Sequence, residues 1–337
     1  PAAESQLVVD GTITDEPGPY VITLSRTRAL GTSNYATLPE SDAKISIQSD
    51  AGETDNLVAV SGQPGAYATT SIQGLVGRSY SITIKLANGS TYVSDTEKML
   101  PAGTINSIEY EFEPRIQPGG IAAGIFRIYS TGRAGSDGVN YFRWRTFGTY
   151  KVRNFPEERT MVVGEAVVPD PEPCSGYINR NNRLVYVGPP CTCCICWVSE
   201  YGIPTVTDTR LVTGGALNKV RVGTVTVNRR TFYDKYYVEV QMLSLTQDAY
   251  NFWKLIESQR EGASSLFQPP LAQVKSNIHS ESRPDEVIQG YFGASSIRRK
   301  SIFLSQKDVP LLLLPTDTVK SSCIGTNSST SQPPFWK

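Results

Sequence analysis

Apolar and polar residues alternate one by one in short segments through the first hundred residues of the chain. The clearest segment is 79–86, with the sequence Ser-Tyr-Ser-Ile-Thr-Ile-Lys-Leu. Because successive side chains of a β-strand point to opposite faces, each such segment offers one apolar face to a core. Asn88-Gly89 follows, a pair that tolerates the positive φ angles of a tight type I′ turn. The pattern predicts an antiparallel β-sandwich over residues 6 to about 112, with a hairpin around Gly89.

The chain has 337 residues, enough for two domains that each bury a core. Pro118-Gly119-Gly120 interrupts the strand pattern with turn formers and predicts a boundary. After it come the strand segment 125–129, the loop 135–138 and the aromatic strand segment 141–145. We therefore expect a mostly β protein: a β-sandwich at 1–115, a larger antiparallel β domain at 116–320 and a C-terminal arm at 321–337.

One helix is predicted within this β background, near residues 246–261. Four apolar residues are spaced i, i+3, i+4 and i+7, which places them on one side of a helix. They are Ala249, Phe252, Trp253 and Ile256. Thr246 is a favourable N-cap for this helix. We expect the helix to pack flat on a sheet through the apolar side.

Positive and negative side chains are balanced, with 32 of each. No global electric field therefore draws the chain to nucleic acid, and we expect no nucleic-acid partner. The longest apolar stretch, 309–314, is far shorter than the run of about 18 residues that a membrane helix needs. The sequence begins at Pro1 without a signal-type apolar segment, so we expect a processed mature part.

All six cysteines lie in the C-terminal part of the chain. An even number favours disulfides formed in an oxidising compartment. A metal site and a redox-active pair are the alternatives, but if the dense segment 191–196 is a strand, its cysteines point to both faces and cannot all reach one ion. We expect disulfides without a metal or other cofactor, and six cysteines allow 15 pairings. The candidates are Cys174, Cys191, Cys193, Cys194, Cys196 and Cys323.

The sequence contains one histidine, His279. A Ser-His-Asp relay or a multi-histidine metal site would have to be built around this single residue. It lies in the polar segment 276–280, which favours a surface loop. We therefore expect no catalytic residues and no enzymatic activity.

Aromatic residues cluster at 141–144 and 232–237, where they form either a core or a platform for a glycan or peptide. The chain ends in Phe335-Trp336-Lys337 after a polar segment. Two large aromatic side chains on such an arm are exposed unless they dock on a partner or fold back onto the chain. We mark Phe335 and Trp336 as candidate partner-binding residues, with folding back as the alternative.

Three short motifs follow one another in the N-terminal part. They are Val-Asp-Gly at 9–11, Pro-Gly-Ala-Tyr at 64–67 and Gly-Arg-Ser-Tyr-Ser-Ile at 77–82. In this order they resemble the prealbumin-like or carboxypeptidase-regulatory-like β-sandwich, an Ig-like architecture. The resemblance implies a domain that positions other parts of a protein and carries no catalytic site.

Further motifs follow through the C-terminal half. They are Cys-Trp-Val-Ser-Glu-Tyr at 196–201, Leu-Thr-Gln-Asp-Ala-Tyr-Asn-Phe-Trp at 245–253, Leu-Phe-Gln-Pro-Pro at 266–270 and Gly-Tyr-Phe at 290–292. Together with the opening segment 8–13, this order is similar to domain-of-unknown-function family 4249 over nearly the whole chain. The resemblance implies a lipoprotein of Bacteroidota of the kind often encoded beside TonB-dependent outer-membrane receptors.

The implied role is that of a non-catalytic accessory subunit, lipid-anchored on the cell-surface side of the outer membrane. Its partner would be an outer-membrane β-barrel protein such as a TonB-dependent receptor, and its N-terminal lipid would lie outside this chain. Asp317-Thr318-Val319 resembles the short O-glycosylation acceptor pattern of these bacteria, with Thr318 as the modified residue. The alternative is a free-standing adhesion module that binds a glycan or peptide through exposed aromatics such as Trp144 and Trp336.

Overall fold

A computed structural model of the protein describes residues 5–28, 38–116, 122–135, 139–262, 274–313 and 318–337. Several predicted features lie outside these residues, namely the boundary 118–120, the part 136–138 of the predicted loop, the motif 266–270 and Asp317. Strands dominate the described residues, which confirms the prediction of a mostly β protein.

The strands before residue 100 are short, as the alternation predicts. They are β1 (Leu7–Thr14), β2 (Val21–Arg26), β3 (Leu38–Pro39), β4 (Lys44–Ser49), β5 (Thr54–Asn56), β6 (Val58–Ala59), β7 (Ala66–Ala68), β8 (Ser79–Lys85), β9 (Thr91–Ser94) and β10 (Glu97–Lys98).

The strands after residue 100 include several long ones. They are β11 (Thr104–Ile116), β12 (Ala122–Arg133), β13 (Tyr141–Arg153), β14 (Thr160–Val163), β15 (Ala166–Pro169), β16 (Tyr177–Arg180), β17 (Arg183–Tyr186), β18 (Ile195–Tyr201), β19 (Thr205–Asp208), β20 (Ala216–Val227), β21 (Lys235–Leu245), β22 (Ile278–Ser280), β23 (Gln289–Ser295), β24 (Ile297–Ser305) and β25 (Ser328–Ser329). The α-helix of the described part, α1, spans Gln247–Gly262, and short 3-10 turns lie at Pro156–Glu158, Pro173–Ser175, Thr213–Gly215 and Gln306–Asp308. The helix is not long and apolar enough to cross a membrane.

The first sandwich consists of two sheets that enclose one core. One sheet has the order β23-β1-β2-β7-β6, with β3 on β2, and the other has the order β22-β9-β8-β4-β5, with β10 on β8. Alternate residues of β8, among them Tyr80 and Ile82, are fully buried between the sheets. The period-two pattern therefore predicted this core correctly.

The predicted hairpin of β8 and β9 is present, and Thr83 lies opposite Val93. Its connection is longer than predicted, because residues 86–90 separate the two strands. Gly89 adopts a φ of 87°, while the Asn88 side chain accepts a hydrogen bond from the Ser90 N–H at 3.0 Å. The hairpin prediction is confirmed, and the two-residue type I′ turn is wrong.

Two strands from far along the chain complete the first sandwich. β23 pairs in parallel with β1, with Val9 opposite Gly290, and β22 pairs with β9. Conversely, β11 pairs with β12 along its length and belongs to the second half of the molecule. The sheets therefore do not follow the predicted linear division at residue 115.

The second sandwich packs the sheet β11-β12-β20 against the sheet β24-β21-β13-β18-β25, which also carries β19 on β13. Trp144 and Phe142 of β13 and Phe232 are completely buried between these sheets. The aromatic clusters at 141–144 and 232–237 thus mainly fill a core, although Tyr233 is exposed. Trp144 cannot serve as the exposed binding residue that the adhesion alternative requires.

Helix α1 confirms the predicted stripe and cap. The Thr246 hydroxyl accepts a hydrogen bond from the Ala249 N–H at 3.2 Å, as expected of an N-cap. Ala249 and Phe252 are buried against β13, β19 and β21, and the Phe252 ring also contacts Tyr291 of β23. The helix therefore lies where the two sandwiches meet.

Candidate interaction surface

Residues 154–194 leave the large sheet between β13 and β18 and form two small hairpins. The first joins β14 to β15, and the second joins β16 to β17. In the second hairpin Arg180 lies opposite Arg183, so the connection is the pair Asn181-Asn182, and both residues have positive φ. Asparagine tolerates this conformation better than most residues, which makes it suited to a two-residue hairpin turn.

The first hairpin exposes apolar side chains on both of its faces. All four residues of β14 are exposed, and Val162 and Val167 keep 69% and 68% of their accessible surface. The second hairpin adds further exposed apolar residues and contacts the first, where the Asn179 amide donates to the Pro169 carbonyl at 2.7 Å. We define the hairpin surface by Met161, Val162, Val163, Val167, Leu184, Tyr186 and Val187.

One edge of β14 pairs with no other strand in the described part of the chain. A strand edge carries unpaired N–H and C=O groups that can pair with a strand of another molecule. Apolar surface of this kind on a folded protein marks an interaction site more often than a scattered exposed residue does. The hairpin surface therefore has both the main-chain and the side-chain properties of a docking surface.

Two disulfides lie at the base of the hairpins, next to the large sheet. Cys174 follows the first hairpin and is bonded to Cys193, so this bridge encloses the second hairpin. Cys191 is bonded to Cys194 in the segment that returns to β18. Isolated two-stranded hairpins are marginally stable in water, and a bridge that closes a loop opposes their unfolding. The bridge Cys174–Cys193 therefore stabilises the exposed second hairpin.

The cysteine segment 191–196 is not a continuous strand. Residues 192–194 form bends, and β18 begins only at Ile195. Cys191 and Cys194, three positions apart, can therefore reach each other, which strand geometry would not allow. Glu172 lies within 4.8 Å of the sulfur atoms of Cys174 and Cys193, but these two sulfurs are bonded to each other and offer no thiolate to a metal.

A cluster of ion pairs lies at the base of the first hairpin, where the chain enters and leaves it. The Arg159 guanidinium contacts Asp170 at 2.9 Å and Glu172 at 3.4 Å. Its Nε also donates to the Asp170 carbonyl oxygen at 2.7 Å. One arginine thus connects the entry of the first hairpin to its exit, just before Cys174.

The third disulfide, Cys196–Cys323, ties the C-terminal arm to β18. The arm continues along the sheet as β25, and Trp336 is only 5% exposed. Its ring lies 6.4 Å from that of Trp197 and 5.6 Å from that of Phe303. Folding back is therefore the observed alternative, and the prediction that Trp336 is available to a partner is wrong.

Phe335 completes the same aromatic cap. Its ring stacks on Tyr237 with 4.1 Å between ring centroids. The aromatic side chains of the arm therefore cover apolar surface of the sheet that would otherwise contact water. Phe335 is only partly buried in this cap, so its assignment as a partner-binding residue stays a prediction.

The remaining predicted residues lie apart from the hairpin surface. His279 lies on β22, an edge strand and not a loop, and its Nε2 is 3.1 Å from an Asp95 carboxylate oxygen. Thr318 is exposed, so the hydroxyl of the predicted O-glycosylation site is accessible. The two hairpins were not predicted, although the β-branched run at 160–163 and the pair Asn181-Asn182 are signals for them.

The comparisons with known proteins concern the whole chain. A comparison with curated proteins found no match. The family model described as Domain of unknown function (DUF4249) matches residues 1–301, which include the first sandwich, the hairpin surface and the second sandwich up to the middle of β24, but not β25, Cys323 or the rest of the C-terminal arm. This match confirms the resemblance seen in the sequence motifs, and the chain belongs to the DUF4249 family.

Proposed function

We propose that this protein is a non-catalytic accessory subunit that docks through the hairpin surface on an outer-membrane β-barrel protein. The barrel would be a TonB-dependent receptor or a related transport protein. The chain would lie on the cell-surface side of the membrane and be held there by a lipid. The hairpin surface is the observation that carries the proposal, and the family resemblance suggests the identity of the partner.

The free edge of β14 favours a strand of another protein as the occupant. Main-chain groups along this edge can extend the two-stranded hairpin by one strand, and Met161, Val162 and Val163 can contact apolar side chains on either face. A soluble sugar would not require such an edge. The strands of such a barrel pair with each other inside the membrane, but its long extracellular loops are accessible from the cell-surface side, and an extended segment of such a loop can pair with the free edge.

Rigidity also favours docking. A flexible arm loses conformational entropy when it binds, and this loss reduces the affinity. The bridge Cys174–Cys193 restricts the second hairpin, and the first hairpin is held by the Arg159 ion pairs and by its contact with the second before any partner binds. An oxidising compartment, which the six paired cysteines require, agrees with a position outside the cytosol.

Co-purification tests the proposal. The protein is extracted from its native membrane with a mild detergent, and bound proteins are identified by mass spectrometry. We expect a β-barrel protein to accompany the native chain and to be lost with the double variant Val162→Lys/Val167→Lys. Val58→Lys is the matched control, because Val58 is an exposed valine on the first sandwich. Isolation of the native chain alone, or retention of the barrel by the double variant, would contradict the proposal.

A free-standing glycan- or peptide-binding module is the second possibility, and Tyr201 favours it. This residue is 84% exposed, and its ring lies 5.4 Å from that of Phe147. The pair borders a cleft of about 170 Å³ that also contains Glu200 and Tyr236. Binding of the isolated chain to a glycan or peptide array, lost with Tyr201→Ala, would support this function over docking on a barrel.

A further inference from the structure

Two arginines lie half-buried on the outer face of the large sheet. Arg143 and Arg145 are two residues apart on β13, so their side chains leave the same face about 7 Å from each other. Arg145 lies opposite Gln241 of β21, and Gln241 lies opposite Arg299 of β24. We call Arg143, Arg145 and Arg299 the arginine row.

The three arginines differ in their partners. Arg299 is paired with Glu16 and with Glu239, each at 2.6 Å. Within the described part of the chain neither Arg143 nor Arg145 forms a salt bridge, and the buried Nε atom of each has no hydrogen-bond partner. An unpartnered buried donor costs free energy, and the cost is larger for a charged group.

Burial and neighbouring arginines disfavour the charged forms of Arg143 and Arg145. Burial lowers the pKa of Arg143 to about 10, and repulsion from Arg145 acts in the same direction. Burial and repulsion from Arg299 lower the pKa of Arg145 as well. Asp10 of β1 opposes these effects at both arginines, and Glu16 and Tyr201 do so at Arg145, but none of these groups forms an ion pair with either arginine.

Trp253 of helix α1 orients one of the two guanidinium groups. The Arg143 Cζ lies 3.3 Å from the centroid of the Trp253 ring, so the guanidinium packs over the indole face. Stacking holds one face of the group, and its N–H donors lie in the guanidinium plane. A planar fork of this kind matches a carboxylate or phosphate oxygen pair better than a lysine ammonium does.

We propose that Arg143 and Arg145 form a binding site for the carboxylate or phosphate group of a small soluble ligand. The oxyanion would supply the ion-pair partner that neither arginine has among the described residues. Trp253, already stacked on Arg143, adds an aromatic wall at this end of the row. The site is independent of the docking proposal, because the hairpins begin after Arg153, eight residues or about 27 Å further along β13.

Isothermal titration calorimetry on the full chain at low ionic strength tests the site. The probes are citrate, glucuronate and inorganic phosphate, which separate a carboxylate ligand from a phosphate ligand. We expect at least one probe to bind, and Arg145→Met to weaken that binding roughly tenfold or more, since a charge-assisted fork is lost. Arg78→Met is the control, because it removes one exposed arginine from the first sandwich and should leave the affinity unchanged.

A stability measurement separates a ligand site from a structural role. Arg145→Met removes a partly buried charge that forms no ion pair among the described residues, so the unliganded variant should melt at a higher temperature than the native chain. Arg143→Lys, which keeps the charge but loses the stacked fork, should also bind weakly while remaining folded. The proposal is overturned if none of the three probes binds the native chain, if Arg145→Met binds as tightly as the native chain, or if Arg145→Met lowers the melting temperature.

Discussion

Removal of the Cys196–Cys323 bridge should destabilise the second sandwich more than removal of either other bridge. Its cysteines are separated by 127 positions, against 19 for Cys174–Cys193 and 3 for Cys191–Cys194. A cross-link lowers the entropy of the unfolded chain by an amount that grows with the logarithm of the loop length. For these loops the stabilisation is about 5, about 3 and about 2 kcal/mol at 25 °C.

The three double variants to compare replace both cysteines of one bridge by alanine. For a unit of about 200 residues, 1 kcal/mol shifts the melting temperature by roughly 2–4 °C, so Cys196→Ala/Cys323→Ala should lower it by roughly 10–20 °C. Circular dichroism follows the melting of the sheets. Tryptophan fluorescence follows the release of Trp336, which is packed against Trp197.

Equal losses for the longest and the shortest loop would refute the reasoning, because loop length would then not determine the contribution of a bridge. A normal tryptophan spectrum in Cys196→Ala/Cys323→Ala would refute the second part. It would mean that Phe335 and Trp336 hold the arm on the sheet without the covalent bond.

Three further substitutions test the fold. Burial acts to raise the pKa of Asp55, but hydrogen bonds from the backbone N–H groups of 70–72 and from the Thr70 hydroxyl outweigh it and lower the pKa below 3.8. The stabilisation from the ionised Asp55 is therefore present above pH 3.8 and is lost as the pH falls below this value. Asp55→Asn should lower the free energy of unfolding, measured by urea denaturation, by about 2 kcal/mol at pH 7 and by much less near pH 2. Gly290→Ala should prevent the pairing of β23 with β1, because the φ of Gly290 is 90° and an added Cβ would lie 1.9 Å from the Val9 carbonyl oxygen. We expect little folded protein in a size-exclusion profile of this variant. Thr246→Ala should cost about 1 kcal/mol through loss of the N-cap, measured as a lower melting temperature, and an unchanged value would contradict the role of the cap.

Local patterns predicted the strands with the clearest alternation and the helix, because each depends on the spacing of neighbouring residues. The stripe that includes Phe252 and the alternation around Tyr80 report which side of an element faces a core. Pairing between distant segments leaves no such local pattern. Nothing in the sequence of β22 or β23 identifies β9 or β1 as the neighbouring strand, so the linear division at residue 115 could not anticipate that the two halves share strands.

The hairpin surface was missed for a different reason. The run Thr-Met-Val-Val at 160–163 suggests a buried strand, because exposed valines are uncommon, yet the structure leaves all four residues exposed. The arginine row was equally hidden. Arg143 and Arg145 occupy alternate positions of a strand, which suggests a solvated face, and only the packing of Trp253 and the positions of the carboxylates show that they lack ion-pair partners.

The parallel pairing of β1 with β23 joins the beginning of the chain to a segment almost three hundred residues later. The ribosome synthesises β1 long before β23. During synthesis the edge of β1 that pairs with β23 in the finished protein therefore stays unpaired, while both sandwiches are still incomplete. Chains that terminate before residue 289 would leave the apolar residues of β1, including Leu7 and Val9, without this cover. The first sandwich can therefore be completed only after nearly the whole polypeptide has been synthesised. A truncated product would expose apolar side chains, which favours aggregation and proteolysis.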